Sequence, residues 1–180
     1  MSRQVLEFRV DGNPPSITHQ AGLKTAVRFG HAMHYKTGKY KRQEQNIVAV
    51  TLARLPKGWT PIEGPIRLSL KIVEPYRASE KKRITKTGVE IPKSTKPDLE
   101  NLEKGWIDCL TMAGLWVNDA QIAVKETSKW WGPRPYWAVR VEGLDAGRPA
   151  SGPSFAQDAS EWGGCYKIAV GHPERNTAQK

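Results

Sequence analysis

Leu6, Phe8 and Val10 alternate with Val5, Glu7 and Arg9, the period-two pattern of a strand. Asp11-Gly12-Asn13-Pro14-Pro15 ends it, because Asp-Gly favours a turn and proline cannot donate to a ladder. Residues 16–40 are polar and rich in Gly, Lys and His, which predicts a long loop with Lys36-Thr37-Gly38-Lys39 at its tip. From Lys41 to Leu55 no breaker appears, and Ile47, Val50 and Leu55 can share one helical face. Pro56-Lys57-Gly58 closes that predicted helix. Ile66, Leu68, Leu70 and Ile72 then alternate with Arg67, Ser69 and Lys71, a half-buried strand.

Leu99, Leu102, Trp106, Leu110 and Ala113 recur at helical spacing and predict a helix from Asp98 to Ala113. Asp98 is placed to cap its start, and Gly114 suits the C′ position, where positive φ is common. Ile122 and Val124 open another strand, Gly132-Pro133-Arg134-Pro135 turns the chain, and Trp137, Val139 and Val141 alternate in a last strand. These two strands read as a hairpin. After Gly143 the composition shifts to Gly, Ala, Ser and Pro, with Tyr166–Val170 patterned as a short strand. Strand, loop, helix, strand, basic loop, helix, strand, strand is the order of an α/β or α+β domain, a mixed sheet packed by helices. The expected division is a domain over 1–143 and an irregular C-terminal extension over 144–180.

Charge changes this picture. The chain carries a net charge of +10 and a pI near 9.7, which suits a polyanionic partner, nucleic acid before an anionic membrane. The excess clusters in residues 75–97, where Arg77, Lys81, Lys82, Arg83, Lys86, Lys93 and Lys96 face only Glu80 and Glu90. That segment reads as a mobile basic loop whose cations contact DNA phosphates. No apolar run is long enough to span a bilayer, and Met1-Ser2-Arg3-Gln4 leads into strand without a hydrophobic signal segment. A cytoplasmic location is expected. Cys109 and Cys165 are too few for a disulfide framework and read as free thiols.

Against that basic background, acidic oxygens gather around one helix. Asp98 and Glu100 stand at its start and Asp119 in the turn beyond its end. Phosphodiester cleavage is served by one or two Mg²⁺ ions, which activate water and neutralise developing charge. Mg²⁺ takes hard oxygen ligands, so these three carboxylates are of the right type. Glu100, Lys104 and Asp108 are successive i, i+4 neighbours on one flank. Each also has an ordinary structural reading: Asp98 as a cap, Glu100 with Lys104 as a helical ion pair, Asp119 as a turn residue. Spacing alone leaves both readings open. Trp130 and Trp131, near Lys125 and Lys129, are weaker candidates for base stacking, and Trp106 and Trp116 read as core. His19, His31 and His34 lie in the early loop, where His31 and His34 could bind a metal only with further ligands and could equally touch phosphate.

Lys96-Pro97-Asp98-Leu99-Glu100-Asn101-Leu102-Glu103-Lys104, followed by Ala113-Gly114-Leu115-Trp116-Val117-Asn118-Asp119-Ala120-Gln121-Ile122, closely resembles the RusA family of Holliday junction resolvases. The early strand and Asn13-Pro14-Pro15 also look like that family's N-terminus, so the resemblance covers roughly residues 4–142. It implies a Mg²⁺-dependent homodimer, with Mn²⁺ as the alternative ion, that binds four-way DNA junctions and makes paired nicks. It implies phage or prophage origin in a bacterial cytoplasm. By position it assigns Asp98, Glu100 and Asp119 as catalytic metal-binding carboxylates and Lys104 as the lysine needed for cleavage. Three positions depart from the motif. Glu100 stands where Asp is usual, Asn118 where the first of two aspartates is common, and Pro97 where a basic residue often precedes the first aspartate. The rival readings are a branched-DNA-binding protein without useful catalysis and a nuclease of flaps or forks. An RNA-binding module is disfavoured, since no aromatic RNA-binding sheet motif appears.

Overall fold

The computed structural model describes residues 4–18, 23–77 and 88–144. His19, Lys81, Lys82, Arg83, Lys86, Cys165 and the strand expected at 166–170 lie outside the described residues. The fold is α+β. A five-stranded mixed sheet is built from β1 (Val5–Asp11), β4 (Ile66–Pro75), β5 (Ile91–Pro92), β6 (Ile122–Gly132) and β7 (Tyr136–Gly143). Its order is β1-β7-β4-β6-β5. Only β4 and β6 are parallel neighbours. A parallel pair needs a crossover connection, and α2 (Leu99–Met112) lies in the segment between them. The second helix, α1 (Gly38–Leu52), packs on α2.

β4 lies at the centre, and its burial shows it. Leu68, Ser69 and Leu70 are buried consecutively, so this strand is covered on both faces at its middle rather than half-buried as its alternation predicts. Leu6, Phe8, Leu68, Leu70, Val139 and Val141 join the inner face of the helices, Ile47, Leu102, Trp106 and Leu110, in one core. Trp106 is fully buried, its ring centroid 4.8 Å from that of Trp137. Val73, Tyr136 and Ala138 form a smaller cluster with Trp130. Gly114 has φ +75, as the end of α2 requires.

Four expectations are corrected. Residues 16–40 are not one loop: β2 (Leu23–Arg28) and β3 (His31–Lys36) form a separate antiparallel hairpin. Its turn is at Phe29-Gly30, not at 36–39. Thr37 instead caps α1 by accepting from the Tyr40 amide, so that helix starts at Gly38 and ends at Leu52 rather than running from 41 to 55. β6 and β7 do not pair as a hairpin, because β4 lies between them. The short link Pro133-Arg134-Pro135 carries the chain over the end of β4, where the Tyr76 amide donates to Gly132. Finally, the 75–97 segment is not all loop: β5 pairs with β6, and Lys93 is buried in an ion pair with Glu74. Lys93, one of the cations expected to meet DNA, is therefore buried and already paired. Trp131 is buried as well, with Arg77 and Lys93 over its ring, so its face is taken.

Cys109 is buried in α2, and burial, with Glu44 and Asp108 nearby, pushes its thiol from 9.0 up to about 12. It is a small hydrophobe here, not a nucleophile. A thiol whose pKa is raised by folding stabilises fully below its unfolded value, and that contribution is lost as pH rises from 9.0 through about 12. A Cys165→Ser variant should take no iodoacetamide label at pH 8 when native and one label when denatured. Native labelling of Cys109 would contradict its burial.

Candidate active site

The position of α2 is set by polar contacts as well as by its apolar stripe. Glu103 points inward and is buried. Its carboxylate accepts from Lys125 Nζ at 3.0 Å and from Thr127 Oγ1 at 2.6 Å, both on β6. Two residues further along β6, Lys129 Nζ donates to the carbonyls of Thr95 at 2.8 Å and Pro97 at 2.6 Å. That holds the segment leading into α2, which includes the cis peptide Lys96-Pro97. Lys125, Thr127 and Lys129 alternate on one face of the strand, so all three can reach the helix.

A second set of contacts builds the turn that carries Asp119. Asn118 Oδ1 accepts from the Ala120 amide at 2.8 Å, and Gln121 Oε1 accepts from the amides of Val117 and Asn118. The Gln121 amide group donates in turn to the carbonyls of Ile62 and Gly64. This reciprocal cap fixes a short 3₁₀ turn, Asp119–Gln121, just before β6. Asn118 is thus occupied in capping, a task that asparagine and aspartate perform about equally. Its departure from the aspartate of the motif leaves the turn intact.

With both supports in place, Glu100, Lys104 and Asp108 on the flank of α2 line one cleft of about 460 Å³ together with Asp119 and Lys125. Asp98 is not among them. It lines a second cleft of about 680 Å³, with Asn101, Lys96 and Lys39. The first turn of α2 separates the two. The structure therefore brings Glu100, Lys104 and Asp119 together and sets Asp98 apart. Among the described residues, no three His, Cys, Asp or Glu side chains gather as a metal cluster.

These residues do not perform the ordinary structural tasks that the sequence allows them. Asp98 occupies the N-cap position of α2, yet its side chain makes no capping hydrogen bond. Among the described residues, Glu100 and Lys104 form no ion pair, and the Asp119 carboxylate makes no hydrogen bond. Asp98, Glu100, Lys104 and Asp119 are all exposed. A divalent ion of the Mg²⁺ kind is commonly held by only one or two protein carboxylates, with water and substrate phosphate completing its shell. Glu100 and Asp119 in one open cleft fit that donor chemistry. Lys125, Glu103 and Lys129 are the residues that motif reasoning overlooked. The signal was there: alternation along β6 places Lys125, Thr127 and Lys129 on the face toward α2.

Of the basic residues expected to meet DNA, Arg77 and Lys96 are exposed. His31 and His34 lie on β3, where His34 Nδ1 is 2.9 Å from Thr25 Oγ1.

Residues 13–142, more than half of the chain, match the family described as endodeoxyribonuclease RusA. The chain is also 27% identical over 146 residues to the uncharacterized protein YqaN of Bacillus subtilis (strain 168), covering 78% of this chain and 98% of that one.

Removing the Glu103 carboxylate as Glu103→Ala deletes two hydrogen bonds to a charged acceptor, one of them an ion pair. It should destabilise the fold by about 2 kcal/mol in chemical denaturation, whereas an unchanged midpoint would mean that α2 is held by its apolar face alone. Asn118→Ala should cost about 1 kcal/mol as a lost cap, and Asn118→Asp much less. Equal losses in the two variants would show that capping is not what Asn118 does.

Proposed function

The chain belongs to the RusA family of endodeoxyribonucleases, and from that premise we propose that it is a Mg²⁺-dependent, structure-selective nuclease that resolves four-way DNA junctions by paired nicks. The observation that carries this reading is the shared cleft of Glu100, Asp119 and Lys104, in which, among the described residues, no side chain of the three is consumed by the fold. Glu100 and Asp119 are the residues that would hold the divalent ion, with Asp98 joining them as the DNA strand seats. Bound there, the ion would supply an activated water and offset charge on the cleaved phosphate. Lys104, on the same flank, orients the phosphodiester by pairing with a non-bridging oxygen. Glu103 and Lys129 hold α2 so that these groups keep their spacing, and they touch no substrate.

Glu100 is one methylene longer than the usual aspartate, so its oxygens reach further from the helix. In an open cleft that reach is an aid, since Asp119 approaches from a separate element. Arg77 and Lys96, with Lys81, Lys82, Arg83 and Lys86, are the cations proposed to follow the phosphate backbone. Binding should then weaken steeply with salt. A homodimer suits paired cutting, because two sites related by a twofold meet two strands symmetrically. A bacterial cytoplasm and a phage or prophage source accord with such a substrate. One observation favours a rival, a branched-DNA-binding protein that does not cut: Asp98 lines a different cleft from its two partners.

A nicking assay on a synthetic four-way junction separates the two. Wild-type protein should cut with Mg²⁺ or Mn²⁺ and stop with EDTA. Asp98→Asn and Asp119→Asn should each bind the junction within about threefold of wild type and cut at least 100-fold more slowly, the scale on which removal of an electrostatic catalytic group is felt. Full cutting by either purified variant would refute the assignment, and no cutting by wild type would favour the rival.

A further inference from the structure

The β2–β3 hairpin has no structural reason for its sequence. Every side chain from Lys24 to Tyr35 is exposed, and among the described residues the two strands pair only with each other. An isolated two-stranded hairpin is marginal in water. Arg28 pairs with His31, so the connection is the two-residue turn Phe29-Gly30. Both residues have positive φ, +51 and +78, which is the type I′ turn that Asn-Gly makes best. Phenylalanine at the first of these positions is sterically disfavoured and rare. It recovers nothing by burial, since Phe29 is 93% exposed. The bulkiest apolar side chain of the arm therefore sits at its tip, strained and uncovered. A strained residue that the fold does not use points to a task outside the fold.

The rest of the arm indicates the partner. From Leu23 to Lys36 it carries Lys24, Arg28 and Lys36 with His31 and His34, and no carboxylate. The register puts Lys24, Arg28 and His31 on one face with Met33 and Tyr35. Its foot is fixed, because Lys36 is bonded to Glu44 of α1 at 2.5 Å. A second copy of the chain would bring a like-charged arm against this one, so the charge favours a polyanion.

We propose that the β2–β3 arm is a wedge for branched DNA: its cationic face lies along the phosphates, and Phe29 inserts between base pairs at the branch point. Apolar side chains used in this way unstack a base step and bend the helix axis. At a four-way junction the pairs flanking the branch are the easiest to open, so a stacking wedge would select branched over linear DNA. The proposal rests on the nuclease reading for its substrate, and it assigns junction recognition to the arm rather than to the catalytic cleft.

The test uses the full chain and an immobile junction carrying 2-aminopurine beside the branch, with EDTA present to prevent cutting. Wild type should raise the fluorescence severalfold at the branch and leave a probe ten pairs along an arm unchanged. Phe29→Asn keeps the positive-φ turn and removes the ring. It should lose most of that rise and about tenfold of the preference for junction over linear duplex of the same sequence. Phe29→Tyr should retain both. A wild type that leaves the branch probe dark overturns the wedge; if it still nicks the junction with Mg²⁺, the nuclease reading stands, and if it does not, both fall. A Phe29→Asn protein with undiminished fluorescence and preference also overturns the wedge. So does a Phe29→Asn protein that falls from dimer to monomer in sedimentation, which would assign the arm to a second copy.

Discussion

The buried carboxylate of Glu103 sets the rotation of α2, and that rotation decides what each cleft presents. Successive residues of a helix are about 100° apart. With Glu103 turned inward to Lys125 and Thr127, Glu100 and Lys104 fall on the flank beside it and line the cleft with Asp119, while Asp98, at the N-cap, comes round to the other side and lines the second cleft. Leu102, Trp106 and Leu110 demand the same orientation from the core side. Apolar packing alone tolerates some slip, because one aliphatic surface resembles another. A buried carboxylate does not, since losing Lys125 leaves its charge without compensation in a poorly solvated place and losing Thr127 leaves one of its oxygens short of a donor. The acid that is not proposed for chemistry thus aligns those that are.

A division of labour follows among the polar residues around the cleft. Asn118, Gln121, Glu103 and Lys129 have donors or acceptors committed to backbone or neighbouring strands. Among the described residues, Asp98, Glu100, Lys104 and Asp119 have none. Carboxylates sharing a cleft repel one another, and a fold under no other demand would pair them or space them apart. Their exposure costs little while water fills the cleft, and it makes a cation welcome. In the proposed reading, the surplus positive charge elsewhere on the chain would bring a phosphate backbone to an acidic place that would by itself repel it.

The sequence makes some of this legible and hides the rest for definite reasons. α2 could be read from its apolar stripe and its Gly114 stop, and β1, β4 and β7 from alternation, because each buries one face in the main core. The β2–β3 hairpin could not, because neither of its faces is buried and so nothing imposes a period-two pattern. Strand partners were likewise invisible: β6 and β7 are three residues apart, yet β4 separates them, a pairing that depends on long-range burial. The start of α1 was missed although Thr37 is a strong cap, since the Gly and Lys around it resemble a turn. At the site, the motif marked Glu100, Lys104 and Asp119, which the fold brings to one cleft. It could not tell that Asp98 would lie on the far side of the first helical turn, nor that Lys93 would be withdrawn into an ion pair with Glu74.

The arm and the cleft are also joined mechanically. Lys36 ends β3, and its hydrogen bond to Glu44 is the main cause of its raised pKa, with smaller contributions from Tyr40 and Asp108. Asp108 lines the Glu100 cleft. The foot of the hairpin, the α1–α2 packing and the acidic flank thus form one continuous layer. Lys36 stays charged well past neutral pH, so this connection does not come and go under ordinary conditions. Beyond the foot, the hairpin has only its own ladder to hold it. Opening free energy is smallest where few apolar contacts are buried, so the arm can deform at its tip at little cost while its root keeps register with α2. That combination, a yielding tip on a fixed mount, would let the proposed wedge adapt to a branched DNA without disturbing the spacing of the proposed site.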